Sequence, residues 1–166
     1  MNDTMKSCAI KLMATCNDYT ILILQLVLGG VIFAHGAQKL FGIWGGHGMA
    51  WTVGAWKQWW NIPSVLTYSV IFIESLGALL LMLGLLTRVW AFLIGIIMIV
   101  AVHLVHLKWG FYMNWYMDPS RGEGFEYHVL TIAIVAALLI KGGGACSIDL
   151  YFHKKLSNQK TENEKS

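Results

Sequence analysis

The chain has 166 residues, of which 57% are hydrophobic and only 13% charged, with a mean hydropathy of +0.58. A soluble domain carries about 25% charged residues, so this chain cannot coat a water-facing globule. Those figures exclude a soluble enzyme, a disordered chain and a disulfide-stapled secreted module, and leave an integral membrane protein.

A bilayer core of about 30 Å takes roughly 20 mostly apolar helical residues, and the sequence offers four such runs. The first spans 19–41 and is interrupted in its apolar part only by Gln25. Its long flank, and the lack of a small-x-small site after it, mark a retained helix rather than a signal peptide. The second, 64–86, follows Pro63 and holds one acid, Glu74. The third, 89–107, contains His103 and His106, and the fourth, 125–140, is the shortest. None shows the period-2 alternation of a barrel strand. The expected fold class is all-α, an integral membrane four-helix bundle. Residues 1–18 form an N-terminal segment, 19–152 the membrane domain, and 153–166 a polar tail, expected to be disordered from Lys154 onward.

Basic residues set the orientation. Lys6, Lys11, Arg88, Lys141, Lys154, Lys155, Lys160 and Lys165 fall on the side of the termini, against Lys39, Lys57, Lys108 and Arg121 on the other. Both termini are therefore expected in the cytoplasm of a bacterial cell, with the chain in its inner membrane. The net charge of +3 reflects topology, and nucleic acid is not an expected partner. Cys8, Cys16 and Cys146 read as reduced thiols without a catalytic pattern. There is no internal repeat and no phosphate-binding glycine loop.

Seven of the eight tryptophans fall in or beside the two loops opposite the termini. In the loop 42–63, Met49, Val53, Trp56 and Trp60 share a helical face, which predicts a short interfacial helix. Gly42, Gly45, Gly46 and Gly48 allow the turn before it. This loop could anchor the chain at the headgroups, cover a cavity or dock an extracytoplasmic partner. The small pairs Gly30/Ala34, Ala91/Gly95 and Ala133/Ala137, with Gly77 and Gly84, predict close helix contacts.

Ionisable residues inside spans are functional candidates by default. At about 1.5 Å of rise per residue, His35 lies about 22 Å from the cytoplasmic end, Glu74 about 15 Å below the outer surface, and His103 about 21 Å up its helix. With Lys39, His106 and Glu126, they place the polar groups in the outer half. Arg88 stands apart, expected to anchor and cap the end of the second helix. His103 and His106, three apart, share a face of an α-helix, as do His35 and Lys39. Such a set suits a quinone head group, whose carbonyls accept hydrogen bonds and whose protons imidazole and carboxyl groups handle near neutral pH. The spacing carries no metal motif, but a metal or haem remains open. The expected catalytic residues are Glu74, His35 and His103. The expected cofactor-binding residues are His35, Gln38, Lys39, Glu74, His103, His106 and Glu126.

The run Gly29–Gly42, GGVIFAHGAQKLFG, resembles the first-helix signature of the DoxX family of bacterial membrane proteins. The likeness continues through Glu74-Ser75-Leu76-Gly77, Gly84-Leu85-Leu86-Thr87-Arg88, His103, Gly110-Phe111, Glu126-Tyr127 and the closing GGGACSID at 142–149. That closing stretch lacks the proline often found among its glycines, and the Trp51–Trp60 insertion is idiosyncratic. The resemblance implies a four-helix membrane protein similar to DoxD-like subunits of thiosulfate:quinone oxidoreductase. Some relatives are linked to redox-stress and thiol-detoxification complexes. His35, Lys39, Glu74, Arg88, His103 and Glu126 match the family's recurrent polar positions. The leading expectation is a redox subunit that passes electrons to quinone, with a membrane redox partner and a homo-oligomer open. The rivals are a non-enzymatic scaffold and, less well supported by the apolar inner half, a small-solute transporter.

Overall fold

A helix surrounded by lipid inverts the usual rule, with apolar side chains outward and polar ones inward where they find partners. The computed structural model describes residues 10–163 and shows this inversion. Lys6, Cys8 and Lys165 lie outside the described residues. Ile23, Val27, Phe72, Ile99 and Leu130 are exposed, whereas Gln25, Thr67, Glu74, Thr87, His128 and Thr131 are buried.

Helix α1 is Tyr19–Phe41, started by the Asp18 carboxylate, which accepts from the Thr20 N–H at 2.8 Å. It ends at Gly42, whose φ of 72° is left-handed. Helix α2 is the short helix Met49–Trp60. Its inward residues are Thr52 and Ala55, with Val53, Trp56 and Trp60 half-buried and Met49 exposed. The buried face is therefore turned slightly from the expected one. Helix α3 is Ser64–Met82 and α4 is Thr87–Trp109. Each is broken by a wider π-type turn, Ile73–Gly77 in α3 and Val102–His106 in α4. Helix α5 is Glu126–Lys141.

Helix α3 ends at Met82, four residues before the expected Leu86. The chain turns there through Gly84, whose φ is 67° and whose missing Cβ leaves room for Ser147 and Gln25. The polar tail expected to be disordered continues instead as helix α6, Ile148–Asn163. Lys, Gln and Glu are good helix formers, and no Gly or Pro interrupts this stretch.

Helix α1 packs on α3 and α5, and α4 packs on α5 and α3, so the four close on one another. Ile21, Leu28, Ile32, Ala78, Leu81, Ala91, Ile94, Met98, Val135 and Leu138 fill the space between them. Helices α1, α3 and α4 are long and apolar enough to cross a membrane. Helix α5 has 16 residues, which rise about 24 Å.

Close approach of α1 and α3 rests on Gly29 and Gly36 rather than on the Gly30/Ala34 pair. A Cβ on Gly36 would lie 2.3 Å from the Glu74 carbonyl oxygen, while one on Gly30 would meet nothing within 4 Å. Since the obstacle is backbone, no rotamer relieves it. Gly36→Ala is expected to destabilise the protein by about 1–3 kcal/mol, and Gly30→Ala to be neutral or slightly stabilising. Unfolding of the two variants in matched detergent checks this. Equal stability would show that α1 does not approach α3 this closely.

Candidate functional site

Two polar sites occupy the tryptophan end of the helices, opposite the termini. The first begins with the contact that Gly36 permits. One turn further along α1, the Lys39 ammonium donates to Glu74 Oε2 at 2.5 Å. The Glu74 side chain is 5% exposed and that of Lys39 22%. A carboxylate inside a helix pair needs such a partner, because removing it from water unpaired costs several kcal/mol. Glu74 sits in the π-type turn of α3, a feature frequent at functional sites. Lys39 also approaches the His35 carbonyl at 3.5 Å and the Trp56 ring, whose centroid is 6.0 Å away.

In front of Lys39 lies a cleft of about 220 Å³, lined by Gln38, Lys39, Gly45, Gly46, His47, Trp51, Thr52 and Trp56. Helix α2 forms its wall. Gly46 packs onto the Gln38 backbone, where a Cβ would come within 2.2 Å of the carbonyl oxygen, and Gln38 Nε2 donates to the Trp44 carbonyl at 2.9 Å. The His47 ring lies tilted against Trp51, centroids 4.0 Å apart, and Trp59 and Trp60 buttress Trp51 and Trp56 edge-on. An ammonium has three protons to give. Lys39 spends one on Glu74 and points a second at the His35 carbonyl, which leaves one for a ligand.

The second site is the loop 110–125 with the heads of α4 and α5. Glu126 accepts from the Met113 N–H and the Trp115 indole, both at 3.2 Å, and so organises the loop. His106 Nδ1 lies 2.8 Å from the Glu123 carbonyl, and its ring stands 4.2 Å from that of His128.

The residues expected as one cluster are thus divided. Gln38 and Lys39 line the cleft, and Glu74 stands behind Lys39, outside the lining. His35 is exposed one turn away, its ring 6.3 Å from that of Tyr127. His106 and Glu126 belong to the loop site. His103 is exposed and makes no hydrogen bond, ion pair or ring contact among the described residues. The π-type turn Val102–His106 is the reason. Its wider pitch separates two histidines that share a face in an α-helix, leaving His103 outward. His47, Trp51 and Trp56 line the cleft without having been among the expected site residues, and Tyr127 entered only through the family likeness. The aromatic pile-up in 42–63 was the available signal. Among the described residues, no three His, Cys, Asp or Glu side chains converge as a metal site would require.

The end near the termini is structural. Arg88 donates to the carbonyls of Leu139 and Ile140 at the end of α5, and to those of Leu12 and Ala14. It therefore closes α5 rather than the second helix, as its sequence position had suggested. Buried Gln25 bridges α1 to the Met82 carbonyl and the Gly144 N–H. Cys16 and Cys146 are free thiols.

A membrane protein with apolar outward faces, glycine-mediated helix contacts and a charged pair under a tryptophan-rich helix is the class these features define. The DoxX family model matches residues 20–107, so the chain belongs to the DoxX family and is a multi-pass membrane protein. It is 28% identical over 138 residues to the Bacillus subtilis (strain 168) protein named "Putative oxidoreductase CatD", covering 82% of this chain and 90% of the relative. No solved structure matches the chain.

Proposed function

We propose that this protein is a redox subunit of a bacterial inner membrane that holds a quinone head group in the cleft between α1 and α2. The observation that carries this reading is the Lys39–Glu74 pair beside a tryptophan-walled cleft. In this reading α5 completes a four-span bundle, both termini are cytoplasmic, and the cleft opens toward the outer leaflet under the tryptophan loop.

The lining fits the group. Trp51 and Trp56 offer flat faces to a planar ring, and aromatic contacts of this kind favour stacked or edge-on partners. Lys39 and His47 offer donors to its carbonyl oxygens. The cleft is smaller than the roughly 300–1,000 Å³ of pockets that enclose a whole ligand. It therefore suits a head group whose apolar tail stays in lipid. A bound quinone would supply reversible two-electron, two-proton chemistry. The chain's own part is to orient the ring, to hold a positive charge at Lys39 Nζ, and to exclude bulk water with α2. Glu74 is a positioning residue here, since it meets the ligand only through Lys39. The name of the Bacillus relative agrees with redox chemistry, and an unidentified membrane or extracytoplasmic partner supplies the electrons.

Titrating the purified full-length protein in nanodiscs with a short-tailed ubiquinone analogue tests this. Quenching of tryptophan fluorescence is expected on binding, and Trp56→Ala is expected to weaken affinity by about 3- to 10-fold, the worth of one aromatic contact. Absence of binding by the unmodified protein rules the reading out and leaves a scaffold that uses the ion pair only to fix helix register.

A further inference from the structure

Beyond the cleft, four rings from three helices stand in file. His35 of α1 and Tyr127 of α5 have centroids 6.3 Å apart, Tyr127 and His128 5.5 Å, and His128 and His106 of α4 4.2 Å. His106 meets the loop at the Glu123 carbonyl. At the other end, His35 stands one helical turn before Lys39 on α1, so the file runs from the polar loop to the neighbourhood of the ion pair.

In its middle His128 Nδ1 is buried without a protein partner, and the buried Tyr127 Oη has only the Thr131 side chain nearby, without a well-formed hydrogen bond. His128 as a whole is only 7% exposed. The nearby Thr131 hydroxyl donates to the Tyr127 carbonyl. Leaving a buried polar atom unpaired is costly, and in folded proteins ordered water commonly meets that need. A purely structural role would favour Phe and Leu at these two positions, which would fill the same space without the cost.

We propose that Tyr127 and His128 hold buried water, and that this water completes a proton path from the 110–125 loop through His106, His128, Tyr127 and His35 to the Lys39–Glu74 site. Among the described residues no hydrogen bond joins one ring of the file to the next, and water can bridge neighbouring polar groups that do not meet directly. His128 and His35 each take a proton on one nitrogen and release one from the other, whereas His106, whose Nδ1–H is committed to the Glu123 carbonyl, takes its proton from water and releases it at Nε2. The Tyr127 hydroxyl passes its proton on and takes another back, so no charge accumulates in the file. The path's purpose rests on the quinone reading, because a head group that gains electrons also takes up protons. The water site does not depend on it.

The test uses the full-length protein in nanodiscs without quinone. Radiolytic hydroxyl-radical labelling in ¹⁸O water reports water next to a side chain. Tyr127 is expected to be labelled at a rate approaching that of the exposed Tyr112 and well above that of the buried Met98. In His128→Leu this labelling should be lost. Exchange of the His35 imidazole proton with bulk water, followed by NMR on ¹⁵N-histidine protein, should slow about tenfold in the milder Tyr127→Phe variant. His128→Asn, which keeps a polar group, should restore part of the labelling that leucine removes. A Tyr127 labelled no faster than Met98, or His35 exchange unchanged in folded Tyr127→Phe, overturns the proposal. Quinone titration of the same samples separates the two ideas. Normal binding with a dry Tyr127 leaves the cleft and removes the path, whereas a wet Tyr127 without binding leaves the water site and removes the cleft.

Discussion

Replacing Lys39 with methionine is expected to destabilise the protein by about 3 kcal/mol or more, because it strands the Glu74 carboxylate between helices. The side chain of Glu74 is 5% exposed and its Oε2 has the Lys39 ammonium as its hydrogen-bond partner at 2.5 Å. Replacing both, as Lys39→Met with Glu74→Met, removes the stranded charge and the cost of burying the pair. A buried ion pair is often no more stabilising than apolar groups of similar volume, so the double variant should regain most of the lost stability. It should not regain ligand binding. Loss of the Lys39 donor is expected to weaken quinone affinity by roughly 10- to 100-fold, the worth of one charge-assisted hydrogen bond. Unfolding in detergent and quinone titration of the three variants form a double-mutant cycle. Full binding by the stable double variant would show that the pair serves only the fold. A single variant as stable as the parent would show that the carboxylate is not buried in the membrane.

Asp149→Ala is the second large effect, about 3–5 kcal/mol, with no change in quinone affinity per folded molecule. Asp149 is 1% exposed, and its two carboxylate oxygens accept from the Leu86 and Thr87 N–H groups, each at 2.8 Å. These are free donors at the start of α4, where the helix dipole also favours a negative charge. The carboxylate further holds Leu86 at its left-handed φ of 54°, a conformation that costs a branched residue roughly 1–2 kcal/mol. Backbone bonds from Ile148 to Leu83 and from Asp149 to Gly84 fix the same corner. Asp149→Asn keeps one acceptor and should cost less than alanine. Thermal unfolding and steady-state abundance in the membrane check the order. An alanine variant that loses less than about 1 kcal/mol would show that other groups cap α4.

The spans were legible because lipid imposes a length and a composition on a crossing helix. The boundaries of α1 were met at both ends, since Asp18 caps one and Gly42 stops the other. The short helix α2 was legible from its aromatic periodicity, though not its buried face, and Glu74 from being the lone acid in an apolar run. The ion pair was half visible, as Lys39 and Glu74 lie 35 residues apart and nothing local says that Gly36 lets their helices touch. The end of α3 was misplaced for a related reason. Leu83–Leu86 is apolar enough to continue a helix, and the left-handed turn that Gly84 permits is fixed by distant groups, Asp149, Ser147 and Gln25.

Composition and periodicity by themselves determined that this chain lives in a membrane, roughly where it crosses, and which residues are too polar for lipid. Tertiary structure decided which of those polar residues meet. The π-type turns Ile73–Gly77 in α3 and Val102–His106 in α4 alter the facing of the residues in and after them, and a count at 3.6 residues per turn does not anticipate that shift. That is why His103 lies outward, His106 joins His128 and Tyr127, and the charged pair stands apart from both under the tryptophan helix.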